Sequence, residues 1–171
     1  MASFANRGLS RRRLLAGTAI AAGTAAFADV ARAFDETSKA DVNVDAKGVA
    51  LRGYDPVSYQ SGPNPVMGSG AFTASYQGAA YHFASAANRD SFAANPARYA
   101  PAYGGFCAMG VAMERKLDGD PTLFRVVNNR LYLNVNSAVQ ARWAQDIPAN
   151  LKKADESWPT LQGKTPKQTN G

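Results

Sequence analysis

Soft metal-ligating side chains are scarce in this chain, and most of them gather in one place. The stretch YGGFCAMGVAMERK, residues 103–116, holds the single cysteine, Cys107, with Met109 and Met113, two of the four methionines. A thiolate flanked by two thioethers is a donor set that selects Cu(I) over harder ions. If residues 106–113 run as an extended strand, Cys107, Met109, Val111 and Met113 project from one side. His82, the only histidine, could add an imidazole nitrogen. The same stripe has a second reading, because Cys and Met are among the side chains most often buried, and Val111 beside them suits a core. On the sequence both readings stay open. Zinc fits less well, since one Cys and one His fall short of its usual three or four ligands.

Other chemistry finds less support. Cys107 and His82 form the only familiar nucleophile and base pair, and no spacing brings them together. No G-x-S-x-G elbow or dinucleotide fingerprint occurs, so the expectation is a protein without catalysis. Asp118 and Asp120 could touch a calcium ion, but the oxygen ligands around them are too few and a polar turn reads better. Gly104 and Gly105 are expected to permit a tight turn, with no phosphate-binding lysine after them.

Two hairpins must position these residues. FTASYQGAAYHFAS alternates around Gln77-Gly78, predicting strands near 71–76 and 79–84, with Tyr81 and Phe83 on one face and His82 on the other. Ser85 caps a predicted helix over AANRDSFAAN that ends before Pro96. LFRVV and RLYLNV form the second hairpin around Asn128-Asn129, two residues that tolerate positive φ. A helix starting at Asn136 or Ser137 aligns Val139, Trp143 and Ile147; Pro148 interrupts it, and Leu151, Ala154 and Trp158 resume the stripe. Strands and helices do not alternate as βαβ units. The expected fold is a small single α+β domain, two β-hairpins packed against short helices and a C-terminal helical segment, with no internal repeat apparent.

The flanks read as targeting and tether. Residues 1–33 place Ser10, Arg11, Arg12 and Arg13 before a weakly apolar stretch that ends at Ala31-Arg32-Ala33, the pattern of a cleaved twin-arginine signal peptide and a periplasmic destination. Residues 34–47 read as a flexible linker, 48–160 as the domain, and 161–171 as a disordered tail. Of 19 basic and 13 acidic residues, five and one lie in the signal, so the mature chain keeps 14 against 12. That balance leaves no basic stripe for nucleic acid, and no later segment is apolar enough to hold a membrane. The expected partner is an envelope protein or a metal ion. An oxidising compartment offers Cys107 no second cysteine for an internal disulfide.

Taken together, Gly53-Tyr54-Asp55-Pro56-Val57, Tyr81-His82-Phe83, Phe92, Asn95-Pro96, Tyr99 and Tyr103-Gly104-Gly105-Phe106-Cys107-Ala108 resemble the YHS-domain family in its exported bacterial branch. The resemblance covers about residues 48–160 and implies a compact α+β module often associated with metal handling. It also marks a departure: metal-binding relatives carry a cysteine after Asp-Pro-Val and another after the second strand's Phe, where this chain has Ser58 and Ala84. A serine hydroxyl is a poor ligand for a soft ion and alanine is none, so the family's usual site is not expected to form.

Overall fold

In the computed structural model, residue 1 and residues 34–171 are described, and the readings made for residues 2–33 lie outside them. The first hairpin joins β1 (Ser69–Tyr76) to β2 (Ala79–Phe83) through Gln77 and Gly78, both at positive φ, the geometry that matches the twist of two flanking strands. Ser85 accepts a hydrogen bond from the Asn88 N–H and starts α1 (Ala86–Ala94), and Pro96 opens the short α2 (Pro96–Tyr99). A tight turn at Ala102–Gly105 leads into α3 (Ala108–Val111). The second hairpin joins β3 (Asp120–Val127) to β4 (Arg130–Asn134) through Asn128 and Asn129, again both at positive φ. Asn136 caps α4 (Ser137–Trp143), followed by α5 (Ile147–Leu161) and α6 (Pro166–Asn170). With two antiparallel two-stranded sheets and six helices among the described residues, the chain is a small α+β domain. Pro148 does not interrupt a helix; it sits in the first turn of α5, where its missing N–H costs nothing.

The domain is built twice. Strand pairs Ser69–Phe83, Thr73–His82 and Tyr76–Ala79 return 51 residues later as Asp120–Asn134, Phe124–Leu133 and Val127–Arg130, with the irregularity between the first two pairs preserved. Ser85 accepting from Asn88 is matched by Asn136 accepting from Val139, and wholly buried Phe92 by wholly buried Trp143. The two helix-opening residues that follow, Asn95 (φ −150°, ψ 73°) and Asp146 (φ −148°, ψ 75°), share one backbone conformation. Upstream, Leu51, Arg52 and Gly53 at positive φ correspond to Tyr103, Gly104 and Gly105. The repeat that the sequence does not display is therefore written in backbone geometry and caps.

The core falls into two clusters, and the first draws on both copies. Tyr81, Phe83 and Phe92 pack with Leu131 and Leu133 in one cluster; Tyr103, Phe106, Tyr132 and Trp143 form the other. The flanking segments, polar by composition, dock on this frame. Val42 is buried, the Asn43 N–H donates to the Gly104 carbonyl, and the chain at Asp41 lies so close that a Cβ on Gly104 would meet the Asp41 carbonyl oxygen. At the other end, the wholly buried Lys116 Nζ donates to the Lys164 carbonyl (2.8 Å) and pairs with Asp41 (3.3 Å), which also accepts from the Gly163 N–H (2.7 Å). One buried ammonium thus fastens residues 34–47 and 161–171, read from composition as linker and tail, to the folded domain.

Candidate functional site

Cys107 is 0% exposed and sits at the N-cap of α3, where its Sγ accepts the Gly110 N–H at 3.4 Å. Its neighbour across the core is Asn134, whose Oδ1 lies 3.7 Å from the sulfur. Burial pushes the thiol above its ordinary range, against a smaller pull from the N–H groups of Gly110, Val135 and Met109.

The repeat explains why so many N–H groups face this sulfur. In the first copy the same place belongs to Asp55, also 0% exposed, whose carboxylate oxygens accept from the N–H of Val57 and Ala84 and the Nδ2 of Asn88. Val57 and Ala84 correspond to Met109 and Val135. The backbone N–H of Asp55 donates to Val66 as that of Cys107 donates to Leu117. Cys107 fills a polar nest that the first copy uses to hold a carboxylate, and in both copies the group ties the turn before the hairpin to the strand end after it.

The four residues read as a copper site are not brought together. Residues 106–113 are not extended: α3 occupies Ala108–Val111, with Cys107 wholly buried at its N-cap while Met113 lies beyond it, 58% exposed. The stripe requires a period of two, and capping by Cys107 imposes a helical period instead. His82 lies in β2 opposite Thr73, in the first hairpin, on the face away from buried Tyr81 and Phe83 as expected. Among the described residues, no group of three or more His, Cys, Asp or Glu side chains is placed to hold a metal ion.

Ser58 and Ala84, the two positions singled out by the family resemblance, do come together. With Ser61, Asn64, Val66 and Asn88 they line a pocket of about 300 Å³. The Ser58 hydroxyl donates to the Asp55 carbonyl and accepts from the Val66 N–H, so it serves the turn.

A larger cleft of about 450 Å³ opens between the copies, a feature the sequence reading missed. The first hairpin's turn and α2 contribute Tyr76, Gln77 and Ala97; the second copy contributes Arg130 and, from α5, Trp158; Tyr103 and Gly104 lie between. Tyr103 Oη donates to Asp155 Oδ1 at 2.8 Å, and burial raises its pKa above the ordinary tyrosine range. Arg130 is exposed, stands 5.9 Å from the Tyr132 ring centre, and joins no ion pair among the described residues. The sequence signal was thin: an arginine next to a turn is usually a solvated side chain.

These features define a small α+β module made of two hairpin–helix copies, each pinned at its entry by a buried polar side chain. Residues 65–103, under a quarter of the chain, match the YHS domain family, and this segment carries the first hairpin, α1 and α2. No curated protein and no solved structure shows a match to the chain. The second copy, although it repeats the same geometry, lies beyond the matched segment.

Proposed function

We propose that the chain is an exported, non-catalytic binding module of the bacterial periplasm in which Cys107 is structural. The observation that carries this reading is the burial of Cys107 with its sulfur already engaged as a helix cap. A Cu(I) ligand must ionise and meet the ion, whereas this thiol is raised by burial and faces Asn134. The same argument speaks against a nucleophile, which needs a base beside it and an approach for substrate. Export is supported by Arg11-Arg12 and Ala31-Arg32-Ala33. The partner class is an envelope protein or a small molecule rather than a metal held by Cys107, Met109, Met113 and His82.

The test is Cu(I) competition against a chelator of known affinity, run on the wild type, Cys107→Ser and the Met109→Leu/Met113→Leu pair, with thiol labelling of the native protein alongside. Native protein that resists labelling and takes no copper from the chelator is the expected result. Tight copper binding lost in both variants overturns the reading and restores the copper site. For export, replacing Arg11 and Arg12 by lysine should leave uncleaved precursor in the cell; unchanged export would point to the general secretion route.

A further inference from the structure

We propose that the cleft between the two copies binds a small organic monoanion, a flat apolar body bearing one carboxylate, with Arg130 as its charge partner. The inference deepens the binding-module reading and rests on it.

Size comes first. About 450 Å³ is ample for a metabolite-sized ligand and too little for a folded partner. Charge comes next. Of the ionisable groups near the cleft, Asp41 is held by Lys116 and the Gly163 N–H, and Asp155 accepts from Tyr103. Arg130 is the one basic residue lining the cleft, and it joins no ion pair among the described residues. One guanidinium offers a carboxylate two parallel N–H donors, while a polyphosphate or a nucleic acid would find no second cation. Three aromatic side chains, Tyr76, Tyr103 and Trp158, share the lining with the polar Gln77 and Gln162, so a ring can stack while the ligand's edge finds hydrogen-bonding groups.

The repeat provides an internal control on Arg130. Its counterpart 51 residues earlier is Ala79, the first residue of β2, 1% exposed and paired with Tyr76 just as Arg130 is paired with Val127. A hairpin of this geometry therefore forms with a methyl group at that position. The arginine answers no requirement of the fold, and it stands where the cleft opens. Tyr76 corresponds to Val127, so the phenol ring too is a feature of this junction and not of the repeated frame.

The experiment uses the full-length chain and three probes: benzoate, 4-hydroxyphenylacetate and indole-3-acetate, each paired with its neutral amide. Binding is read by amide chemical shifts and by the Trp158 indole signal. At least one acid should bind, with shifts centred on Gln77, Gly104 and Trp158 and an amide that binds about tenfold more weakly, the loss of one charge-assisted hydrogen-bonding group. Arg130→Ala should weaken the acid by a similar factor and leave the melting curve unchanged, since Ala79 is tolerated at the equivalent place; Arg130→Lys should retain part of the affinity. The proposal is overturned if no acid binds, if acid and amide bind alike, or if the shifts map elsewhere. It fails separately from the reading it rests on: tight copper binding through Cys107 would overturn the structural role of that residue while leaving the probe results to judge the cleft.

Discussion

The clasp at Lys116 makes an asymmetric prediction. Its ammonium is wholly buried, lies 5.1 Å from the Phe106 ring centre and 5.5 Å from that of Trp158, and has Asp41 and the Lys164 carbonyl as partners, whereas Asp41 keeps 37% of its side chain exposed. Asp41→Ala leaves a buried cation with one carbonyl and two aromatic faces, and it also strips the Gly163 N–H of its acceptor. Removing one partner of a buried pair costs about 3–5 kcal/mol, and the partial exposure of Asp41 puts the expected loss near the lower end, about 3 kcal/mol. Lys116→Met keeps the packing over both rings and ends the burial of charge; the carboxylate left behind can reach water, so the loss should be about 1 kcal/mol or less. The double variant should therefore be more stable than Asp41→Ala alone. Burial already lowers the Lys116 pKa, and Asp41 opposes that shift. Without Asp41 the folded state gives up its proton at a lower pH while the unfolded lysine keeps it, so stability of Asp41→Ala should rise with pH in the window below 10.5. Urea melts of the four proteins at pH 7 and pH 9, followed by tryptophan fluorescence, measure all of this. If Lys116→Met proves more damaging than Asp41→Ala, or if the double variant is the worst of the three, the reasoning is refuted.

Three further outcomes are expected. Trp143→Ala should cost about 3–5 kcal/mol because the ring is wholly buried, while Trp143→Phe, which copies Phe92 of the first repeat, should cost less than half as much in the same melts. Tyr59 and Tyr81 have pKa values raised by burial from the ordinary 10, so above pH 10 the unfolded state sheds protons that the folded state retains. Stability should then fall by about 1.4 kcal/mol per pH unit for each. Tyr81→Phe should flatten that slope and be near neutral at pH 7, since the buried hydroxyl it removes has no protein partner. Gly119→Ala should destabilise by about 2 kcal/mol or more, because its Cβ would run into the Gly105 carbonyl oxygen; a melt unchanged from the wild type would contradict the close approach.

Local signals were the legible part. The turn pairs Gln77-Gly78 and Asn128-Asn129, the caps Ser85 and Asn136, and the alternation around Tyr81 each state their structure within a few residues, and the hairpins and capped helices appear where those signals put them. The strand expected at 71–76 starts at Ser69, two residues earlier. What escaped was set by distance or by divergence. Lys116 meets Asp41 across 75 positions, and no local pattern in FDETSKADVNVDAK announces that Val42 will be buried. The copper stripe depended on an extended backbone, which the capping sulfur of Cys107 excludes; the alternative of a buried cysteine was equally legible, and its engagement at Asn134 was not. The repeat escaped because the matched residues keep conformation and burial while changing type: Phe83 for Asn134, Asp55 for Cys107, Phe92 for Trp143.

Those same changes of type govern how a duplicated chain avoids tangling with itself and its neighbours. Two hairpins of identical register are interchangeable templates, and during folding one could settle in the seat of the other, within a molecule or between two. Here the seats differ. The first hairpin brings Phe83 where the second brings Asn134, and the helix behind it brings Phe92 where the other brings the larger Trp143. An exchanged first hairpin would press a phenyl ring into the space beside Cys107, and an exchanged second would bury an amide against Phe92. Divergence between the copies thus acts as a lock and key for each half, so that similarity of backbone does not become a route to swapped, cross-linked assemblies.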